Sequence, residues 1–258
     1  MQLIDTHTHL FLPEFDTDKA DMMQRAIDKG VSKCFLPNID VTTISELVKT
    51  CDELPSNCFP MMGLHPCSVD ANYKEQLIEI KDWFSKRKFY GVGETGIDLY
   101  HDTTYIEEQK LSFRAQVEWA KEMNLPIIIH CRNSFSEVIE IITELHDKRL
   151  KGIFHCFTGT IEEAKEIMDL ESFKMGIGGV VTYKKSILSE VLSKVPLSYL
   201  VLETDSPYLT PVPFRGKRNE SSYLSFIAEK LSEIYQMPIE KIADVTTQNA
   251  MEVFGQFN

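Results

Sequence analysis

The sequence predicts an α/β protein folded as one (β/α)8 barrel over residues 1–258, with extra helices at its C-terminal end. Three observations predict it. Short apolar runs alternate with stretches of helical periodicity, at intervals of roughly twenty to thirty-five residues. The runs are apolar on both faces, as strands of a parallel sheet covered by helices must be. The main rival, an open doubly wound sheet, would carry a glycine-rich phosphate turn after its first strand; here that place holds Asp5-Thr6-His7-Thr8-His9.

The elements follow in order. Leu3-Ile4 is a short buried strand that runs into the two histidines, and residues 18–29 form a helix through Met22, Met23, Ala26 and Ile27, stopped by Gly30. Cys34–Pro37 is the second strand, and residues 42–54 form a helix with Ile44, Leu47, Val48 and Cys51 on one face. Residues 59–64 make a third strand running into His65-Pro66, and an amphipathic helix covers 74–88. The fourth strand, 89–93, ends at Glu94, and a long helix spans 104–123. Strand five, 126–129, meets His130, and the helix 136–145 follows. Strand six, 152–154, leads to His155, then come the helix 161–170 and strand seven, 173–177. A helix over 184–192 precedes strand eight, 199–202, which enters Glu203-Thr204-Asp205. The tail from Ser221 to Phe254 is two helices parted near Met237-Pro238.

Composition narrows the function. A net charge of −12 disfavours a protein that coats nucleic acid through bulk electrostatics, while leaving room for an enzyme with a local basic patch. No basic-then-apolar leader opens the chain and no run reaches membrane-spanning length, so no membrane association is expected. The six cysteines form no Cys-x-x-Cys pair, which suits free thiols in a reducing cytoplasm. Cys131 and Cys156 each follow a histidine of interest, and strand alternation turns them away from it into the core.

The chemistry falls at the strand ends. His7 and His9 lie on one side of an extended segment, and His65, Glu94, His130, His155 and Asp205 each follow a later strand. A barrel places its active site at these C-terminal ends. Four histidines (His7, His9, His130, His155) and two carboxylates exceed the three protein ligands of one catalytic zinc. They divide into two sets that share Glu94: His7, His9, Glu94 and Asp205, then Glu94, His130 and His155. Water between two such divalent ions (magnesium, manganese or zinc) loses a proton near neutral pH and becomes the nucleophile. Asp205 is placed to serve as its general base.

Seven stretches carry a resemblance: Asp5-Thr6-His7-Thr8-His9, Gly63-Leu64-His65-Pro66, Gly91–Asp98, His130-Cys131-Arg132, His155–Gly159, Glu203–Pro207 and Arg215–Asn219. Together they resemble the TatD family of metal-dependent nucleases, within the amidohydrolase-like barrels. The resemblance implies a two-metal site on the six ligands, His65 at the substrate phosphate, and cleavage of DNA, often from a 3′ end. Related members act on other phosphodiesters or esters, aminoacyl-tRNA among them. Thr95 stands where the family pattern expects an aliphatic residue.

Substrate contacts are read from the rim. Arg132, two residues past His130, leans into the mouth to clamp a phosphate; the alternative is an ion pair with a local carboxylate. Arg215, Lys217 and Arg218 follow strand eight, where these barrels often bind phosphate; the alternative is a solvated loop. Glu203 holds a water or a ligand histidine, or pairs with Arg132, and Asp98 faces the mouth or caps its loop. The expected function is thus a cytoplasmic deoxyribonuclease with DNA (or RNA or aminoacyl-tRNA) as its partner and no obligate protein partner. The competing readings are an ester or amide hydrolase such as an aminoacyl-tRNA deacylase, and a metal-binding scaffold without turnover.

Overall fold

A computed structural model describes residues 1–255; the last three residues of the expected 1–258 unit lie outside the described residues. The strands are β1 (Leu3–Asp5), β2 (Val31–Pro37), β3 (Cys58–Met61), β4 (Val92–Asp98), β5 (Ile127–Arg132), β6 (Gly152–Phe154), β7 (Phe173–Ile177) and β8 (Leu200–Leu202). All pairings are parallel, in the orders β1-β2-β3 and β4-β5-β6-β7-β8. Backbone bonds knit both seams. Met62 bridges Val92, Gly93 N–H donates to Met62 O at 3.0 Å, and Thr6 N–H donates to Leu202 O at 3.0 Å. The strands therefore follow one another in chain order and the eighth returns to the first, a TIM-type barrel.

The crossovers are α1 (Lys19–Asp28), α2 (Ile44–Glu53), α3 (Tyr73–Lys86), α4 (Ile106–Met123), α5 (Phe135–Leu145), α6 (Ile161–Asp169) and α7 (Leu188–Leu192). The chain closes with α8 (Leu224–Tyr235) and α9 (Ile239–Phe254). Each crossover buries an apolar stripe against the strands, as Met22, Met23 and Ala26 do in α1. Thr160 and Glu163 start α6 with a capping box, which satisfies two otherwise orphaned backbone donors.

The interior of the barrel is a separate apolar cluster. Ile4, Phe35, Phe59, Ile128, Ile153 and Val201 meet Ala250, Val253 and Phe254 of α9. Phe254 stacks on Phe35 with centroids 3.7 Å apart. Asn249 Nδ2 donates to Leu197 O and Leu200 O, and Thr247 Oγ1 donates to Gln2 O, so α9 lies against the N-terminal ends of β8 and β1. Each fully buried side chain of this kind contributes about 1.5–3 kcal/mol. The opposite, C-terminal end is left for polar chemistry.

Four expectations change. The fourth and fifth strands run over Val92–Asp98 and Ile127–Arg132, so Glu94 and His130 sit within them rather than after their ends. For β4, two glycines are the reason. A β-carbon on Gly93 would meet Ile128 at 2.8 Å, and one on Gly96 would meet His130 O at 1.9 Å, so β4 packs closely on β5 where the sequence looks too polar for a strand. His65 lies four residues beyond the end of β3, after the extended segment 62–64. The helix expected over 184–192 is only Leu188–Leu192, with a 3-10 turn at Gly179–Thr182 before it.

Candidate metal centre

The C-terminal side of the barrel brings His7, His9, Glu94 and Asp205 together. His7 Nε2 lies 3.0 Å from Glu94 Oε2, 3.2 Å from His9 Nε2 and 3.8 Å from Asp205 Oδ1. His9 Nε2 lies 3.6 Å from Glu94 Oε2 and 3.5 Å from Asp205 Oδ1. Ligands about 2.0–2.1 Å from one tetrahedral ion stand about 3.3 Å apart, and these separations scatter around that edge. The donor set fits a cation.

The other oxygen of Glu94 faces a second group. Oε1 lies 2.8 Å from His130 Nδ1, 3.4 Å from His65 Nε2 and 3.9 Å from His155 Nε2. Each ring is oriented from behind. Asp98 Oδ2 lies 2.8 Å from His130 Nε2, which keeps the ring proton there and leaves the Nδ1 lone pair toward Glu94. Glu203 Oε1 lies 2.9 Å from His155 Nδ1 and accepts from Cys156 N at 2.6 Å. The first of these is a charge contact rather than a well-directed hydrogen bond, since His155 Nδ1 has no aligned acceptor. Only glycine fits beside Glu203: a β-carbon on Gly176 would sit 2.0 Å from its Oε2.

His65 enters differently. The backbone N–H of Cys67 donates to its Nδ1 at 3.1 Å, so the neutral ring carries its proton on Nε2. His65 therefore points a donor at Glu94 and His130, although its distances alone would pass for a ligand's.

Electrostatics follow from burial and neighbours. Burial pushes the Glu94 carboxyl up, but the charges of His7, His65 and His155 outweigh it and hold the group well below the usual range. Burial likewise opposes Asp205, and His155 and His9 hold it low. Burial, reinforced by the charge of His155, lowers His7 and favours its neutral, ligating form. For His155, burial is overcome by Glu203, Glu94 and Asp205, and the imidazole is pushed up to about 10. Burial of His130 is overcome by Asp98 and Glu94, so it too is raised. A cation entering here thus replaces protons.

Supporting residues that the sequence reading did not single out fix the loops. Buried Asp5 accepts from Thr204 N and Thr204 Oγ1, tying β1 to the segment that carries Asp205. Asn219 Nδ2 donates to Thr204 O and Tyr208 O. Asp98 both caps its loop, accepting from Tyr100 N and His101 N, and orients His130, so the two readings of it hold together. Glu203 pairs with His155 rather than Arg132. Cys156 does not turn into the core: its φ of 48° breaks strand alternation, and its Sγ lies within reach of His155 and Asp205. Cys131 packs partly into the core as expected.

The rim residues divide. A cavity of about 350 Å³ opens over the centre, lined by His130, Arg132, His155, Thr158, Asp205 and Leu209. The Arg132 guanidinium lies 4.2 Å over the Tyr100 ring, and no ion pair engages it among the described residues. Arg215 stacks 3.8 Å over Tyr183, and Lys217 Nζ lies 5.7 Å from the Phe214 ring. Arg218 is a correction. Its fork donates to Asp18 Oδ1 and Oδ2 at 2.6 and 2.8 Å and to Glu14 O at 2.7 Å, so it ties α1 to the loop after β8 instead of facing substrate.

A TIM-type barrel with this imidazole–carboxylate cluster at its C-terminal end defines a metal-dependent hydrolase. The chain matches the family described as TatD related DNase over residues 4–255. It is 39% identical over 253 residues to a Bacillus subtilis protein named uncharacterized metal-dependent hydrolase YabD, covering 98% of each chain. It is 26% identical over 259 residues to the 3′-5′ ssDNA/RNA exonuclease TatD of Pantoea ananatis, covering 98% of this chain and 99% of that one. The crystal structure of YjjV, a TatD homologue from Escherichia coli, superposes with a TM-score of 0.92 at 28% identity, covering 99% of this chain and 98% of that one. The chain belongs to the TatD-related family. No helix among the described residues is long and apolar enough to cross a membrane.

Proposed function

We propose that this hydrolase is a divalent-metal-dependent phosphodiesterase, a single barrel unit acting in the cytoplasm on nucleic acid, with DNA as the main substrate and removal of nucleotides from a 3′ end. The observation that carries the reading is Glu94, whose two oxygens face different histidine groups. Two ions sharing that carboxylate would activate water and neutralise charge during in-line displacement at phosphorus. The Pantoea relative's name points to the same substrate class. The six cysteines, all free, suit a reducing compartment.

The chain's own residues then have distinct tasks. His7, His9, Glu94 and Asp205 hold one cation; Glu94, His130 and His155 hold the other. Asp205, kept ionised by its histidine neighbours, accepts a proton from water at the cavity floor. His65 offers Nε2–H to a phosphoryl oxygen, the role its tautomer supports. Arg132 presents a planar fork to the mouth. Arg215 and Lys217 supply positive charge further along the strand's path, beside aromatic faces suited to bases.

The test is a panel of magnesium, manganese and zinc against 5′-labelled single-stranded DNA, with an aminoacyl ester in parallel. A product ladder shortening from the 3′ end, dependent on added metal, is expected. Ester cleavage without DNA cleavage would replace this reading with that of a carboxylic-ester hydrolase.

A further inference from the structure

We propose that Cys67, Asp98 and His101 form a second, separate cation site at the barrel mouth, suited to a thiophilic divalent ion such as zinc. The three residues come from two neighbouring exits. Cys67 lies in the 3-10 turn Pro66–Ser68 after β3, Asp98 is the last residue of β4, and His101 follows three residues later. Their donor atoms all lie within 4.8 Å of one another. Cys67 Sγ is 3.7 Å from His101 Nδ1, and His101 Nδ1 is 3.0 Å from Asp98 Oδ2.

Those separations match the edges of a zinc tetrahedron. With Zn–S about 2.3 Å and Zn–N or Zn–O about 2.0–2.1 Å, sulfur and nitrogen on one ion stand about 3.6 Å apart and nitrogen and oxygen about 3.3 Å.

The donors are also preorganised. Asp98 is 1% exposed, and its Oδ1 accepts the backbone N–H groups of Tyr100 and His101 at 2.9 Å each. That cap turns the loop back, so the His101 ring meets the other carboxylate oxygen. On the facing turn, the backbone N–H of Cys67 is held by His65. Little ordering therefore remains to be done when an ion arrives.

The site is distinct from the Glu94 centre. It shares no donor with that centre, and Asp98 Oδ2 meets His130 at Nε2, on the far side of the ring from Glu94. The thiolate is the discriminating donor: it selects zinc-like ions over magnesium, whereas the six residues assigned to the Glu94 centre donate through nitrogen and oxygen, and the one thiol near them, that of Cys156, is separated in the test by its own variant. Binding replaces the thiol proton, which leaves to solvent. The ion would clasp the exit loops of β3 and β4 together and keep a fourth position open to water or to a substrate oxygen.

The experiment uses the full chain, stripped with chelator and reloaded with zinc or cobalt, then freed of loose ions and counted. Wild type should hold one more zinc per chain than Cys67→Ser and one more than His101→Ala. The difference is the readout, so it stands whatever the Glu94 centre holds and whatever substrate that centre takes. Cobalt-loaded wild type should show a near-ultraviolet thiolate-to-cobalt band that persists in Cys156→Ser and vanishes in Cys67→Ser. Equal ion counts in wild type and Cys67→Ser would overturn the proposal. So would a band that is absent from wild type or that follows Cys156.

Discussion

Replacing Glu94 with glutamine keeps the side chain's shape while removing one charge and one of the two oxygens that the proposed centre would share between its ions. The glutamine carbonyl can serve either the His7/His9 side or the His130/His155 side, and its amide nitrogen offers nothing to the other. Glu94 is 2% exposed, so solvent screens little of the loss. Removing one partner of a buried charge pair costs about 3–5 kcal/mol. At 1.4 kcal/mol per tenfold, that is about a 10²–10⁴-fold weakening of one ion. Calorimetric titration of chelator-stripped protein with manganese should resolve one site near wild-type affinity and one weakened by this factor. Turnover at fixed metal should collapse with the weakened site and should not recover with more substrate, the mark of a transition-state rather than a substrate-binding defect. Two equally tight ions and near-normal turnover in Glu94→Gln would refute the shared carboxylate.

Two further substitutions probe the parts around it. Asp98→Asn should keep its oxygen toward the Tyr100 and His101 amides and turn its NH2 toward His130 Nε2, forcing the ring proton onto Nδ1. Metal titration should then show about 10–100-fold weaker binding on the His130 side, as for other carboxylates behind a ligand histidine. The rim substitutions should separate: Lys217→Ala flattens the log–log salt dependence of single-stranded DNA affinity by about 0.7, while Arg218→Ala leaves that slope alone and lowers stability by about 1 kcal/mol. The stability effect has a pH sign. Its hydrogen bonds to Arg218, then to Arg25, lower the Asp18 carboxyl from 3.8 to about 2, so the stabilisation is fully present above pH 3.8 and is lost as pH falls toward 2. Wild type and Arg218→Ala should accordingly converge in urea titrations at low pH.

How far the sequence could be read depended on whether the signal was local. The sixth and seventh strands, Gly152–Phe154 and Phe173–Ile177, were legible to the residue because each is an apolar run between clear breaks. The fourth was not, since Gly93 and Gly96 serve a close approach to β5 that only the folded neighbour explains. Looking for polar side chains near strand ends picked out His7, His9, Glu94, His130, His155 and Asp205, whose convergence needs only barrel geometry. The tautomer of His65 was hidden, because it is set by a backbone N–H two residues away in a turn. Arg218 and Arg215 look alike in sequence. They part only because Asp18, 200 residues from Arg218, folds back to meet it. His101 carries no signal of its own in the sequence, because it is the cap made by Asp98 that turns its loop inward.

Anomalous diffraction from crystals soaked in manganese tests the central claim most directly. Two peaks should stand about 3.5–4 Å apart astride Glu94. One should lie among His7, His9 and Asp205, and the other beside His130 and His155. A single peak, or two peaks that do not share the Glu94 carboxylate, would contradict the account.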